Sequence, residues 1–238
     1  MNLIPDKNLF IVTSSLKPNV GAFSDFDRFQ QTVLSVKSLR EKVPDAILVF
    51  SDCSARPVSQ EEKQEISKYI NVYLDLSTQP NCQHCVVNGM KSPGENNLLF
   101  HTLLLLKQNP QISPILNQVK RIFKYSARTI LEDSFDIKEY DGLFGKFVFK
   151  KRIPTWMPHP AFGADHLFIT RLYSFCPSLI DTYLGVLMKN LELFQMGVPD
   201  TEHAHYINIP KQYLVEFDKL HCWGWLAGNG QIERSEEH

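Results

Sequence analysis

Short apolar runs alternate with amphipathic stretches along the first half of the chain. The run LFIVT, Leu9 to Thr13, predicts a buried strand, and Asp27 to Lys42 repeats apolar side chains at helical spacing. The run AILVF, Ala46 to Phe50, predicts a second strand, which ends at the polar residues Ser51-Asp52-Cys53-Ser54. The opening of the chain is therefore predicted to be strand, helix, strand.

The same alternation continues as far as residue 125. Ser59 to Tyr69 predicts a helix, Asn71 to Leu76 alternates as a strand does, Glu95 to Lys107 predicts an apolar helix, and Gln118 to Tyr125 predicts another strand. This pattern predicts an α/β fold in which helices flank a mostly parallel central sheet. In such folds, ligands bind beyond the carboxyl ends of the strands.

The second half of the chain is less regular. Lys146 to Lys150 predicts a strand, Arg152 to Gly163 is rich in proline, and Ser178 to Gln195 predicts a helix. No internal repeat, low-complexity tract or linker divides the sequence. With 238 residues and 43% hydrophobic side chains, the chain can bury a full core, so we expect a single domain over residues 1–238.

Charge and targeting signals limit the partners. The 25 basic and 26 acidic residues create no net field that would attract nucleic acid or an anionic membrane. No apolar run approaches the roughly 20 residues of a membrane span, and the N-terminus lacks a signal-peptide pattern. Five cysteines are not a secreted disulfide framework. We expect a soluble protein in the cytoplasm of a cell or an infected host, with peripheral membrane attachment left open.

The stretch NCQHC contains a candidate metal-binding pair. Cys82 and Cys85 have the spacing of two zinc ligands. A second pair would have to come from His203, His205, His221 and Cys222, brought near by the fold. The alternative is a loop with ordinary free thiols.

Three other polar groups are candidates for ligand binding or catalysis. Asp52 ends the second predicted strand, where a carboxylate can accept hydrogen bonds from a base or ribose or can form a turn. The stretch KSPGE, Lys91 to Glu95, begins a helix that would favour a diphosphate or would simply be capped by Ser92. Glu202 lies among imidazoles, as a general base or in a helix start that Thr201 caps.

Two further stretches combine unusual side chains. HCWGWLAGNGQIE, His221 to Glu233, places two tryptophans beside flexible backbone. Sugars stack on such surfaces, although core packing is the more usual role of tryptophan. KRIFKYSARTILEDSFDI, Lys120 to Ile137, begins as a buried strand and ends with Ser126, Ala127 and Arg128, followed by an acidic segment.

In chain order, these stretches resemble the nucleotide-sugar glycosyltransferases of the GT-A fold, in particular small divergent members from viral and bacterial surface-polysaccharide gene sets. The stretches that carry the resemblance are FIVTSS, ILVFSDCS, KSPGE, FKYSARTILEDSFDI, TRLYSF, TEHAHY and WGWLAGNG. The resemblance implies one GT-A-like, Rossmann-like domain, with a nucleotide-binding half at 1–125 and an acceptor and catalytic half at 126–238.

The resemblance also implies a function. It implies transfer of a sugar from a nucleoside-diphosphate donor to a hydroxyl of a glycan or related acceptor, with inversion. A catalytically silent domain that binds a nucleotide or a partner stays the alternative. If the chain is an active glycosyltransferase, Glu202 is the expected catalytic base. The other expected contacts to the donor are Thr13, Ser14, Asp52, Lys91, Glu95, Ser126 and Arg128.

The expected metal motif differs in this sequence. Glycosyltransferases of this fold usually carry Asp-x-Asp at the end of a central strand, where it holds Mn²⁺ or Mg²⁺ against the donor diphosphate. Here the matching residues are Ser126, Ala127 and Arg128. Arginine cannot ligate a cation but can bind phosphate in a bidentate manner. Asp133 and Asp136 could still supply a ligand, so the sequence leaves metal dependence open.

Overall fold

A computed structural model describes residues 5–159, 162–225 and 231–234. The α-helices in these ranges are α1 (Asp25–Lys42), α2 (Gln60–Ser67), α3 (Pro80–Val87), α4 (Lys91–Gln108), α5 (Ile180–Gln195) and α6 (Thr201–Asn208). The strands are β1 (Lys7–Ser14), β2 (Ile47–Asp52), β3 (Val72–Asp75), β4 (Val119–Ser126), β5 (Thr129–Leu131), β6 (Phe147–Lys150), β7 (Ile153–His159), β8 (Ala164–Leu167), β9 (Leu172–Phe175), β10 (Leu214–Phe217), β11 (Cys222–Trp225) and β12 (Ile232–Arg234). No helix in the described ranges is long and apolar enough to cross a membrane.

The described part of the chain builds a seven-stranded central sheet with the order β10-β6-β9-β4-β1-β2-β3. Neighbouring strands are parallel except around β9, which runs antiparallel to β4 and β6. This confirms the predicted α/β fold with a mostly parallel sheet. The chain moves outward from β1 to β3 and then returns to place β4 on the other side of β1. The strand order therefore reverses between β1 and β4.

Residues of β1 alternate between two hydrophobic clusters, because successive side chains of a strand point to opposite faces. Leu9 and Ile11 pack in one cluster with residues of α4 and α5, while Phe10 and Val12 pack in the other with residues of α1. Phe10 also stacks on its cross-strand neighbour Phe123, with ring centroids 4.5 Å apart. Helices on both faces thus bury the central strands and hold their ends in fixed positions.

Three regions differ from the sequence-based expectation. The NCQHC stretch lies in helix α3, which begins with Pro80, so Cys82 and Cys85 are helical rather than in a loop. The proline-rich segment contains the antiparallel pair β7 and β8, because an edge strand can accommodate prolines that a central strand cannot. In a separate three-stranded sheet, β11 pairs with β5 on one side and with β12 on the other.

Two predicted helix caps were also wrong. Helix α4 begins at Lys91, so Ser92 lies inside its first turn, and no side chain caps it. Helix α6 is capped by Asp200, whose Oδ1 accepts a hydrogen bond of 2.9 Å from the backbone N–H of His203. Thr201 is therefore the first helical residue and not the cap.

Asp52 connects the end of β2 to the loop that follows β1. Its side chain is 1% exposed. One carboxylate oxygen accepts from the backbone N–H of Leu16 at 3.0 Å, and the other accepts from the Ser54 hydroxyl at 2.7 Å. Burial raises the pKa of Asp52 to about 6, although these hydrogen bonds act in the opposite direction. Because the carboxylate is enclosed by protein groups, we infer that it holds the loop after β1 in place.

This arrangement predicts opposite outcomes for two substitutions at position 52. Asp52→Ala leaves the buried Leu16 N–H without an acceptor, which we expect to lower the free energy of unfolding by about 1–3 kcal/mol. Asp52→Asn keeps an acceptor oxygen and removes the buried charge, so we expect a change within about 1 kcal/mol. Urea unfolding at pH 7.5 measures both. An alanine variant that unfolds like the parent but loses nucleotide affinity would instead support Asp52 as a direct ligand contact.

Candidate functional site

A cavity of about 620 Å³ opens at the carboxyl ends of β1 and β4. It therefore lies where the strand order reverses, the position at which open α/β sheets bind ligands. The loop after β1, the first turns of α1, α4 and α6, helix α3, and the start of β9 also line it. Its volume lies within the range of sites for small molecules, roughly 300–1,000 Å³.

Most of the predicted site residues meet in this cavity, because the parallel register of β1 and β4 places Thr13 beside Ser126. Asp52 does not line the cavity, since its buried carboxylate faces Leu16 and Ser54. Its expected contact to base or ribose stays a prediction. The predicted residues that do line the cavity are Thr13, Ser14, Lys91, Glu95, Ser126, Arg128 and Glu202.

Three arginines, Arg28, Arg128 and Arg171, line the cavity and form what we call the three-arginine cluster. The guanidinium of Arg28 donates to the carbonyl of Ser15 through Nε at 3.0 Å and Nη2 at 2.7 Å. The carbonyl of Arg128 accepts from the Trp225 N–H at 3.2 Å, and the carbonyl of Arg171 accepts from the Ser126 N–H at 2.9 Å. Each arginine is thus fixed through its backbone or its guanidinium.

Arg128 has the electrostatic surroundings of an anion-binding residue. Its Nη1 atom is buried and has no hydrogen-bond partner among the described residues. Burial lowers the pKa of Arg128 to about 10, and the positive charges of Arg28 and Arg171 act in the same direction. The negative charge of Glu95 opposes this shift only in part, and the guanidinium stays protonated at neutral pH. The ring of Phe23 lies beside it, with the centroid 5.7 Å from Cζ.

An ion pair between a buried lysine and a partly exposed glutamate forms another part of the cavity wall. Lys124 is 1% exposed. Its ammonium pairs with Glu95 and donates to the Ser126 hydroxyl at 2.7 Å and to the Thr170 carbonyl at 2.8 Å. Burial is the largest single effect on the pKa of Glu95 and would raise it, but the charge and hydrogen bond of Lys124, together with His205 and Thr13, lower the pKa overall. Glu95 therefore stays ionised at neutral pH.

Glu202 is the second carboxylate of the cavity. It lies in the first turn of α6, and one of its oxygens accepts from the Thr170 hydroxyl at 2.7 Å. Burial raises the pKa of Glu202 to about 7, with a further contribution from the Asp200 charge, whereas the bond from Thr170 opposes the shift. A carboxylate whose pKa lies near neutrality can take up and release a proton under ordinary conditions, as a general base requires.

The imidazoles near Glu202 have structural partners. His205 Nδ1 lies 2.8 Å from the Thr201 carbonyl, and Nε2 lies 2.8 Å from the Tyr183 hydroxyl. Since a carbonyl only accepts, Nδ1 carries the proton and Nε2 accepts from tyrosine. Burial lowers the pKa of His205 to about 4, so the ring is neutral. His205 anchors α6 to α5 and thereby holds Glu202 at the cavity.

The residues at the expected metal position do not fit a divalent cation. The side chains there are a hydroxyl, which accepts from Lys124, a methyl group and a guanidinium. Asp133 pairs with Lys42 on the surface, and Asp136 accepts from the Lys138 N–H at 2.9 Å. Neither lines the cavity. In the described ranges, no three His, Cys, Asp or Glu side chains form a group that could hold a metal.

The candidate zinc ligands Cys82, Cys85 and His203 also have defined positions in the structure. Cys82 and Cys85 are buried free thiols on α3 that line the cavity wall. His203 is hydrogen-bonded to Asp200 and Thr155, at 2.7 and 2.8 Å. The ordinary-thiol interpretation of the cysteines stays a prediction.

Several side chains that line the cavity were not predicted from the sequence. In the sequence, Arg28 resembles any polar residue on a helix. Only the tertiary structure shows that it lines the cavity. Arg171 and Thr170 belong to the TRLYSF stretch, which carried the resemblance without an assigned role. Trp225, from the tryptophan-rich tail, also lines the cavity. Residues 226–230 of WGWLAGNG lie outside the described residues.

Several solved structures are similar to this chain at low sequence identity. No family model and no curated protein sequence matches the chain. A glycosyltransferase involved in the glycosylation of the major capsid of PBCV-1 is 8% identical, with a TM-score of 0.47 over 90% of this chain and 82% of that chain. Core-mannan synthase A from Aspergillus fumigatus, in a Mn/GDP form, is 9% identical, with a TM-score of 0.49 over 90% and 73% of the two chains. A mannosyltransferase from S. cerevisiae in complex with GDP is 10% identical, with a TM-score of 0.46 over 84% and 65%.

Proposed function

We propose that this chain is a glycosyltransferase that moves a sugar from a nucleoside-diphosphate donor to a hydroxyl group of a glycan or related acceptor. The observation that carries the proposal is the content of one cavity. It contains the three-arginine cluster, suited to a diphosphate, together with Glu202, a carboxylate with a pKa near neutrality. Transfer from a nucleoside diphosphate to a hydroxyl needs both an anion site and a general base.

The walls near β1 offer contacts for the nucleoside part of the donor. Thr13 and Ser14 end β1, and the buried Ser15 Oγ has no hydrogen-bond partner among the described residues. A ribose hydroxyl could satisfy it. Apolar side chains from the loop after β1 and from the α3 to α4 region offer surface for a base, among them Val20, Met90 and Leu98. Lys91 adds a positive charge at the exposed start of α4.

In the proposed reaction, the acceptor oxygen attacks the anomeric carbon of the donor sugar. The bond between that carbon and the diphosphate oxygen breaks, and its electron pair leaves with the diphosphate. Glu202 takes the proton of the acceptor hydroxyl as the new carbon–oxygen bond forms. Attack from the side opposite the leaving group inverts the anomeric centre, and a single general base is enough for this path.

A catalytically silent domain is the second candidate, and the Ser126-Ala127-Arg128 sequence in place of Asp-x-Asp favours it. Two measurements separate the candidates. A melting-temperature panel of nucleoside diphosphates and their sugars identifies the ligand, since a compound that binds only the native state raises the melting temperature. Mass spectrometry of the donor after incubation with candidate acceptors then detects transfer. A silent domain would bind the donor and leave it intact.

Glu202→Gln tests the general base. The amide keeps the size of the side chain and can still accept from Thr170, but it cannot take a proton. We expect donor affinity within about twofold of the parent and a transfer rate lower by roughly 10²–10⁴. Glu192→Gln, an exposed position on α5, is the matched control and should transfer at the parent rate. Parent-rate transfer by the Glu202 variant would remove this residue from the mechanism.

The pKa of Glu202 also predicts the pH profile. A general base acts when deprotonated, so kcat/KM should fall by about tenfold per pH unit below pH 7 and level off above it. The Thr170 hydroxyl stabilises the charged form of Glu202, so Thr170→Val should raise its pKa and move the acidic limb to higher pH. Rates measured from pH 5 to 9 give both profiles. A variant that loses rate equally at every pH would show that Thr170 serves only the packing of the site.

A further inference from the structure

The three-arginine cluster carries an inference about how the diphosphate is held. We propose that Arg28, Arg128 and Arg171 together bind the donor diphosphate directly, so that diphosphate binding by this chain needs no divalent cation. The inference rests on the proposed function for the identity of the anion. Its physical basis is the placement of the three guanidinium groups and the chemistry of the side chains around them.

The local charge opposes a cation and favours an anion. A guanidinium has N–H donors and no lone pair for a metal. The Ser126 hydroxyl, the nearest oxygen at the expected metal position, already accepts from the Lys124 ammonium. Glu95 supplies a negative charge, but it pairs with the same ammonium. A diphosphate would replace repulsion among the arginines with attraction, and it could give the buried Arg128 Nη1 an acceptor.

The backbone around the cluster is held by hydrogen bonds. Its three members come from separate elements, α1, the end of β4 and the start of β9. The Arg28 guanidinium donates to the Ser15 carbonyl, and the backbone carbonyls of Arg128 and Arg171 accept from the N–H groups of Trp225 and Ser126. Gly224 also makes room for them. A Cβ atom at Gly224 would lie 2.9 Å from Arg171 Nη1 and 2.6 Å from the Arg128 carbonyl oxygen. Only a residue without a side chain allows β11 to approach both arginines this closely.

This arrangement suits a leaving group. When the bond to the anomeric carbon breaks, the electron pair stays on a diphosphate oxygen, and fixed N–H donors stabilise that negative charge. Guanidinium groups can bind phosphate oxygens through two parallel N–H bonds, whereas an ammonium offers a point charge. Groups on three separate elements could therefore contact both phosphates of the donor, with Arg28 offering the N–H groups that do not donate to the Ser15 carbonyl.

Titration with inorganic pyrophosphate in excess EDTA tests the inference without knowledge of the base or the sugar. Isothermal calorimetry should detect saturable binding at one site in the absence of any divalent cation. Binding that is absent in EDTA and appears only when Mn²⁺ or Mg²⁺ is supplied would overturn the inference.

Arginine-to-lysine variants assign the binding to the cluster. Lysine keeps the charge and loses the planar fork, so Arg128→Lys and Arg171→Lys should each weaken pyrophosphate binding in EDTA by about tenfold. Arg128→Ala should weaken pyrophosphate binding further.

Arg152→Lys is the matched control, because Arg152 pairs with Glu216 outside the cavity. This variant should bind pyrophosphate like the parent. Melting curves confirm that each variant is folded. Parent-like affinity in the folded Arg128 and Arg171 variants would assign the anion to other groups and overturn the inference.

Donor transfer assays in EDTA and in Mn²⁺ distinguish this inference from the proposed function. Transfer that occurs only with Mn²⁺ would overturn the inference and leave the proposed function intact. Pyrophosphate binding in EDTA that depends on the arginines, without transfer of any donor, would support the inference and contradict the proposed function.

Discussion

The pairing of β4 with β1 is the constraint on which the whole site depends. The parallel register ends with Thr13 opposite Ser126, and the Ala127 N–H continues it by donating to the Thr13 carbonyl at 3.0 Å. Beyond this point the chain turns away, while β2 and its loop diverge on the other side of β1. The space between them is the cavity. A shift of one residue in this register would turn Arg128 and Ser126 to the opposite faces of the sheet.

Lys124 connects that register to the chemistry. It is a buried cation on β4, and its ammonium contacts Glu95 on α4, Ser126 on its own strand and the carbonyl of Thr170. Because Lys124 is buried, removing Glu95 would leave its charge without its carboxylate partner, which is unfavourable. Because the hydroxyl of Thr170 donates to Glu202, Lys124 holds both the loop before β9 and, through it, the carboxylate at the start of α6.

The sequence allowed the central strands and seven of the residues that line the cavity to be predicted, because these depend on local patterns. Apolar runs that end in polar residues predicted β1, β2 and β4, and polar residues at the ends of parallel strands meet at one edge of a sheet. Asp52 fits this pattern but is enclosed by Leu16 and Ser54, which a one-dimensional pattern cannot reveal. Arg28 and Arg171 join the site only through tertiary contacts. The β7–β8 pair was missed because proline usually indicates irregular structure.

Charge balance in the cavity couples donor binding to the base. Burial and the Asp200 and Glu95 charges already raise the pKa of Glu202 to about 7. An uncompensated diphosphate in the same cavity would raise it further, because a nearby negative charge disfavours ionisation of a carboxylate. Glu202 would then hold its proton at neutral pH and could not accept another. In the proposed reaction, the positive charge of the three arginines would offset the negative charge of the diphosphate, so the groups proposed to hold the leaving group would also keep Glu202 able to accept the proton of the acceptor. The position of the arginines and the basicity of Glu202 are therefore two consequences of one electrostatic arrangement.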